Sequence, residues 1–265
     1  MSELNSVFEI KNISKFYTGT AGSKLHVLDE VSFKIEITGQ AGSIISVLAP
    51  FGSGKSTLLK IIAAIEEPTD GSVFINGALY SHASGKIAYI PELPSSFPWL
   101  NVKQNIEFVA SLKSSGNIDV NKLISIVGLT GYEDHFPHEK SIGFRFRISL
   151  ARALAVNPSL ILLDDPFRGL HGETKKEIYS LLQNVKEKLK TNYLLTTTNI
   201  TEAISLSDKI LLMKNHPGKI FKEIIVNQNL ISSGDREVFT SLRTEIESAY
   251  SAFEGTPLVS EVKYK

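Results

Sequence analysis

Residues 49–57 read Ala-Pro-Phe-Gly-Ser-Gly-Lys-Ser-Thr, and no other stretch limits the possible folds so tightly. The pattern G-x-x-x-x-G-K-[ST] is met by Gly54, Lys55 and Ser56, with Ala49 standing where the first glycine would be. A strand-like apolar run, Ser43 to Leu48, leads into it. Leu58, Leu59, Ile61, Ile62 and Ile65 follow at helical spacing, with Pro68 as a stop. Strand, glycine loop and helix in this order make a phosphate cradle. Backbone N–H groups converge on the anion, and the helix N-terminus adds favourable potential. The candidate nucleotide-binding residues are therefore Phe51, Gly52, Ser53, Gly54, Lys55, Ser56 and Thr57. Lys55 has the reach for the outer phosphates, and the Ser56 hydroxyl suits Mg²⁺. If position 49 needs a positive φ, alanine there costs on the order of 1 kcal/mol, which a fold tolerates.

A chain of 265 residues carries one large or two small domains with a substantial core. It has no cysteine, so disulfides and thiolate metal sites are excluded, which fits a reducing cytoplasm. Its formal net charge is zero, and without a broad basic field nucleic acid is not an expected partner. Met1 to Val7 lacks the basic-then-apolar pattern of a signal peptide. No apolar run approaches the roughly 20 residues that span a bilayer. A membrane role would have to go through a partner.

Strand-like runs dominate the first hundred residues: Val7–Ile10, Val31–Ile35, Ser43–Leu48, Ser72–Ile75 and Ile87–Ile90, with Asp70-Gly71 and Asn76-Gly77 as turn signals. Residues 99–156 read as mainly helical, broken at Gly116-Asn117 and loop-like around 131–143. Strands return at Leu160–Leu163, Tyr193–Thr197 and Lys209–Met213, with the helical stretch Glu173–Leu189 between the first two. This alternation predicts βαβ units and a parallel sheet. His216-Pro217-Gly218 reads as a turn, Lys219–Val226 as an antiparallel return strand, 236–254 as an amphipathic helix and 256–265 as a disordered tail.

Leu160 to Asp165 is an apolar strand ending in two carboxylates. Downstream of a phosphate loop, and followed by Pro166, this is the Walker B arrangement, in which the strand delivers Asp164 to the Mg²⁺ of the bound nucleotide. With both motifs in hand, the chain resembles an ABC transporter ATP-binding subunit nearly end to end. Tyr17, in Ser14-Lys15-Phe16-Tyr17, matches the aromatic that stacks on adenine in that family. Leu150-Ala151-Arg152-Ala153-Leu154, then Asn157-Pro158, matches the stretch between the signature helix and Walker B. Pro98-Trp99-Leu100-Asn101-Val102, followed by Asn105, and the His216-Pro217-Gly218 turn are most similar to the nitrate/sulfonate/taurine importer branch.

Against that family pattern the catalytic motifs depart. Asp165 stands for the catalytic glutamate and is one methylene shorter, and a misplacement of about 1 Å can cost on the order of 10²-fold. Thr198 stands for the switch-loop histidine; losing one transition-state donor typically costs about 10²–10³ in rate. Glu92 stands for the Q-loop glutamine and His171 for the D-loop aspartate. The signature reads Lys140-Ser141-Ile142-Gly143-Phe144, keeping Ser141 and Gly143 at a helix N-terminus that in the family faces the ATP of the opposite subunit. Ile142 brings a branched side chain to a backbone expected near phosphate, while Phe144 and Phe146 read as compensating packing. His26 and His82 lack ligand spacing and read as surface or loop residues; His135 and His138 read as packing or capping; Trp99 reads as a packing anchor near the transporter contact.

The expected fold is α/β: a P-loop NTPase with a RecA-like parallel sheet core, an antiparallel β subdomain and an inserted helical subdomain. The expected division is 1–92 for core, β subdomain and P-loop, 93–155 for the helical part, 156–232 for the second part of the core, and 233–265 for the C-terminal helix and tail. The resemblance implies ATP and Mg²⁺, with Asp165, Lys55 and Thr198 catalytic and Ser56, Asp164 and Glu92 around the metal. It also implies a second ATP-binding subunit, transmembrane permease subunits and a solute-binding protein, at the cytoplasmic face of the plasma membrane. Intact binding motifs beside altered turnover motifs predict good MgATP binding and slow hydrolysis coupled to solute transport. Two alternatives follow from the same residues: a non-hydrolysing regulatory subunit paired with a complete partner, and a soluble ABC ATPase outside transport.

Overall fold

A computed structural model describes residues 6–19, 22–80, 86–112 and 118–252. His82, the Gly116-Asn117 break and the C-terminal tail lie outside the described residues. Two sheets form the frame. β1 (Ser6–Thr18), β2 (Lys24–Ile37), β4 (Asp70–Ile75) and β5 (Ala78–Leu79) make an antiparallel sheet in the order β2-β1-β4-β5. The second sheet has six strands in the order β10-β9-β3-β8-β7-β6. Its members are β3 (Ile44–Leu48), β6 (Ile87–Ile90), β7 (Leu160–Leu163), β8 (Tyr193–Thr197), β9 (Lys209–Lys214) and β10 (Lys219–Ile225). All of its pairings are parallel except β10 with β9.

Strands β3, β7 and β8 are buried on both faces, which is why they read as unbroken apolar runs. Period-two alternation sorts their side chains between layers. Ile161 and Leu163 join Phe146, Leu150, Leu182 and Tyr193 on one face; Leu160 and Leu162 join Phe8, Ile10, Leu58 and Leu59 on the other. The first face is covered by α4 (Ile142–Ala155) and α5 (Gly172–Leu189), the second by α1 (Lys55–Ile62) and the antiparallel sheet. A third cluster seats the C-terminal helix α8 (Arg236–Ser251) on β9 and β10 through Ile246 and Tyr250. The Tyr250 hydroxyl, buried, donates to the carbonyl of Leu48 at 2.5 Å, one residue before the phosphate loop.

Between β6 and β7 the chain makes three helices, α2 (Val102–Ser111), α3 (Val120–Ile126) and α4. Each is started by a side-chain cap. Asn101 and Gln104 form a reciprocal capping box on α2, Asp119 accepts from Lys122 N, and Ser141 accepts from Phe144 N. The wholly buried Asn105 fixes the Pro98-Trp99-Leu100 segment: its Oδ1 accepts from Phe97 N, and its Nδ2 donates to the carbonyls of Phe97, Leu100 and Asn101. Two short helices, α6 (Ile200–Leu206) and α7 (Gln228–Ser232), complete the chain.

Several local expectations differ from the structure. Helix α1 ends at Ile62, because Ala64 takes a left-handed turn (φ 55), and Ile65 is left exposed. Asp70-Gly71 is no turn: it begins β4, and Gly71 runs against the backbone of Lys11 and Asn12. Asn76-Gly77 does turn the chain, both residues having positive φ, and joins β4 to β5. Strands β1 and β2 extend well beyond the apolar runs that announced them. Trp99 is 70% exposed and lies beside Phe97 at a ring distance of 5.5 Å.

Candidate active site

A cleft of about 370 Å³ crosses the C-terminal ends of β3, β7 and β6, where ligands settle on open parallel sheets. Tyr17, Leu25 and Val27 from the antiparallel sheet line one end. The phosphate loop, Phe51 through Thr57, forms the floor, and Glu92, Asp164, Asp165, Arg168 and Thr198 line the other end. Leu25, Val27 and Arg168 were not singled out in the sequence; Arg168 carries a signal, an arginine three residues after the Walker B pair.

The loop is held from outside. Gly54 caps α1 with φ 86, and a side chain there would strike Val27 and Leu28 of β2. Gly218, in the turn after β9, packs on the carbonyl of Ser53, its N–H donating to Val27 O. Ala49 does not take a positive φ, so the expected conformational cost falls away. It is buried, and its N–H donates to Thr197 O at 3.2 Å.

Lys55 folds back into this loop, its ammonium donating to the carbonyls of Ala49 (3.0 Å) and Pro50 (2.8 Å). Burial lowers its pKa to about 8, against the opposing pull of Asp165 and Asp164. Ser56 Oγ donates to Asp164 Oδ1 at 3.0 Å. The same oxygen accepts from Thr196 Oγ1, and Asp164 Oδ2 accepts from Tyr89 OH, each at 3.0 Å. The Tyr89 phenol is pushed well above its ordinary range, by burial first and by Asp164 second. Thr196 also accepts from the backbone N–H of Asp165 at 2.9 Å, so one hydroxyl on β8 holds both the Asp164 carboxylate and the Asp165 backbone. Neither Tyr89 nor Thr196 stands out in the sequence, because both sit within apolar strands, just before the motif positions Glu92 and Thr198.

Asp165 sits in the left-handed region (φ 43), a conformation aspartate bears better than most residues. Burial, then the negative charge of Glu202, raises its carboxyl to about 6; Lys55 and Arg168 pull the other way. Glu92 is engaged by Arg168 at 2.7 Å. Tyr17 donates to Glu66 at 2.5 Å and keeps its ring at the cleft wall. Ser56 and Asp164 set two hard oxygen donors side by side over the phosphate floor, a donor set that fits Mg²⁺ shared with phosphate oxygens.

Ser141 and Gly143 do not line this cleft. Ser141 is exposed at the start of α4, and Gly143 is buried against Thr174 of α5. His171 is exposed at the N-cap of α5. Ile142 turns inward toward Gly169 and the core, not outward onto the helix end, so its branched side chain does not cover the face that the sequence placed near phosphate. Phe146 is wholly buried, and Phe144 meets Tyr132 edge to face. His26 stacks on Phe16, while His135 and His138 lean on Tyr132 and Phe136.

A family model described as ABC transporter matches residues 28–168, from β2 through the Walker B strand to Arg168. The chain belongs to the ABC transporter family. Among its relatives in this family, the aliphatic sulfonates import ATP-binding protein SsuB of Bacillus thuringiensis subsp. konkukian is 36% identical over 89% of this chain and 93% of its own length. The nitrate import ATP-binding protein NrtD of Synechocystis is 29% identical over 83% of this chain and 82% of its own. A solved dimeric ATP-binding cassette, in a post-hydrolysis state bound to ADP and Pi, superposes with a TM-score of 0.71 at 26% identity over 83% of this chain and 99% of that one. The α/β P-loop fold and the importer-branch resemblance expected from the sequence both hold, and the cleft is that of an ATP-binding ABC cassette.

Proposed function

We propose that this chain is the ATP-hydrolysing subunit of an importer, binding MgATP tightly and turning it over slowly. The observation that carries the reading is the joined floor of the cleft: Lys55 in the loop, and Ser56 hydrogen-bonded to Asp164 beneath a strand-borne second carboxylate. Tyr17 stacks the adenine. The loop N–H groups and Lys55 hold the phosphates. Ser56 and Asp164, with Glu92 once it leaves Arg168, hold Mg²⁺, which supplies charge that offsets the phosphates when bound. Asp165 accepts hydrogen bonding from the attacking water and takes its proton as the γ-phosphoryl passes to water oxygen and ADP leaves. A carboxyl raised to about 6 is a stronger base than ordinary aspartate, which partly offsets its short reach. Thr198, uncharged, contributes a weaker contact to the phosphoryl than a histidine would. Because the Asp165 carboxyl still faces the cleft, we favour slow turnover over a silent regulatory role.

We further propose that Ser141 and Gly143 serve the nucleotide of a second copy or a paired subunit. Neither lines this chain's own cleft, and that, with the relationship to a dimeric cassette, supports the reading. A permease is the proposed partner for the helical stretch 93–155, at the cytoplasmic side of a membrane. Among the described residues no helix is long and apolar enough to cross a membrane. Leu93, Trp99, Phe108 and Leu112 are all exposed there, with Phe97 between Trp99 and Phe108 at ring distances of 5.5 and 5.1 Å. Exposed apolar clusters of this kind belong to interaction surfaces. The test is direct: Lys55→Ala is expected to abolish ATP binding or turnover, and a variant with full binding and full turnover would overturn the site assignment.

A further inference from the structure

We infer that Arg168 recognises the terminal phosphate of bound ATP, and that Glu92 holds its guanidinium until the nucleotide arrives. The inference rests on the nucleotide reading above and concerns one residue that reading does not use. The cleft has a direction. Tyr17, Leu25 and Val27 close the end beside the antiparallel sheet, and β7 and β6 deliver Asp164, Asp165 and Glu92 at the other. A base on Tyr17 with its phosphates over Lys55 and Ser56 therefore presents its last phosphate to Glu92, Asp165 and Arg168.

The charge at that end needs a cation. Three carboxylates, Glu92, Asp164 and Asp165, face the last phosphate, and the lining cations among the described residues are Lys55 and Arg168. Lys55 is buried and donates to the loop carbonyls of Ala49 and Pro50 and, at 3.4 Å, to Ser53 Oγ. Arg168 is the opposite case. Its side chain is 51% exposed, with Nη1 2.7 Å from Glu92 Oε1 and the guanidinium 5.7 Å from the Phe51 ring centre. One contact to a carboxylate leaves most of the five donors of a planar fork that matches phosphate oxygens.

Its backbone is held by the turn, while its side chain is half exposed. Arg168 N donates to Asp165 O at 3.1 Å, and the flanking Phe167 and Leu170 are buried. Phe167 meets the Tyr179 ring edge-on at 4.7 Å. The turn thus holds Arg168 over the cleft, three residues from Asp165. Both partners of the Arg168–Glu92 pair are solvent-exposed to a third or more, the class of ion pair that exchanges partners at little cost. Moving Arg168 onto phosphate also releases the Glu92 carboxylate.

The test is equilibrium competition of ATP and of ADP against a fluorescent ADP analogue, first in EDTA so that no metal takes part, then with Mg²⁺. Arg168→Ala is expected to weaken ATP about tenfold, the loss of one charge-assisted contact, while ADP stays within about twofold. Arg168→Lys should fall between, and Glu92→Gln should raise ATP affinity relative to ADP. An equal loss for both nucleotides, or none, would overturn the inference in favour of a structural or idle surface pair. Lys55→Ala separates the two levels. If wild type binds neither nucleotide, the nucleotide reading and this inference fail together. If binding depends on Lys55 yet Arg168→Ala does not discriminate ATP from ADP, only this inference fails.

Discussion

Asp165 is a partly buried carboxyl in the lining of the cleft. Its carboxyl is raised from 3.8 to about 6, chiefly by burial. A raised folded pKa means that the folded state holds the proton more tightly than the unfolded chain does. The stability this confers is fully present below the ordinary pKa and is lost as pH rises through about 6. Above that pH the ionised, partly buried carboxylate weakens the fold, by about 2–3 kcal/mol for a shift of this size. Asp165→Asn should therefore raise the thermal midpoint more at pH 8 than at pH 5. Equal gains at both would mean that burial of charge is not the cause. The same value predicts that ATP turnover falls as pH drops below about 6, read from a pH–rate profile. The identity of Asp165 was legible from the strand that precedes it; its raised pKa was not, because it comes from burial and from Glu202, both set by tertiary packing.

Elements set the shape of the phosphate loop from outside it. The turn after β9 brings Gly218 against the carbonyl of Ser53, with Met213 beside it. A methyl group there has to push the loop, at a cost of about 1–3 kcal/mol for overpacking. Gly218→Ala should lower both the melting temperature and ATP affinity, although residue 218 does not line the cleft; unchanged nucleotide affinity would show that the loop holds its shape alone. How legible each element was follows from its surroundings. Strands β7 and β8 matched their apolar runs because neighbours cover both of their faces. β1 and β2 were under-read because polar residues alternate along their exposed sides. Helix α1 was over-read because Ile65 continued the apolar spacing past a left-handed Ala64 that spacing cannot reveal. Helices α6 and α7 are too short for a periodic signal, being set by the caps Asn199 and Asn227 and by packing.

Across the whole molecule, the cleft forms where two sheets meet, and each contributes what the other lacks: an aromatic end and a carboxylate end joined by the phosphate loop. The motifs that made this half of the site legible are local in sequence. Tyr89 and Thr196 were not, since only the sheet order brings β6 and β8 beside the Walker B strand. Ser141 and Gly143 were legible as a motif, yet neither lines this cleft. The central claim is that binding is intact while turnover is slowed at Asp165 and Thr198. Mg²⁺-dependent ATP turnover, measured after ATP binding has been verified, tests it most directly in wild type, Lys55→Ala and the double variant Asp165→Glu with Thr198→His. The account predicts slow wild-type turnover, none in Lys55→Ala, and a rise of about tenfold or more in the double variant. Fast wild-type turnover, or a double variant that binds ATP and is no faster, would contradict it.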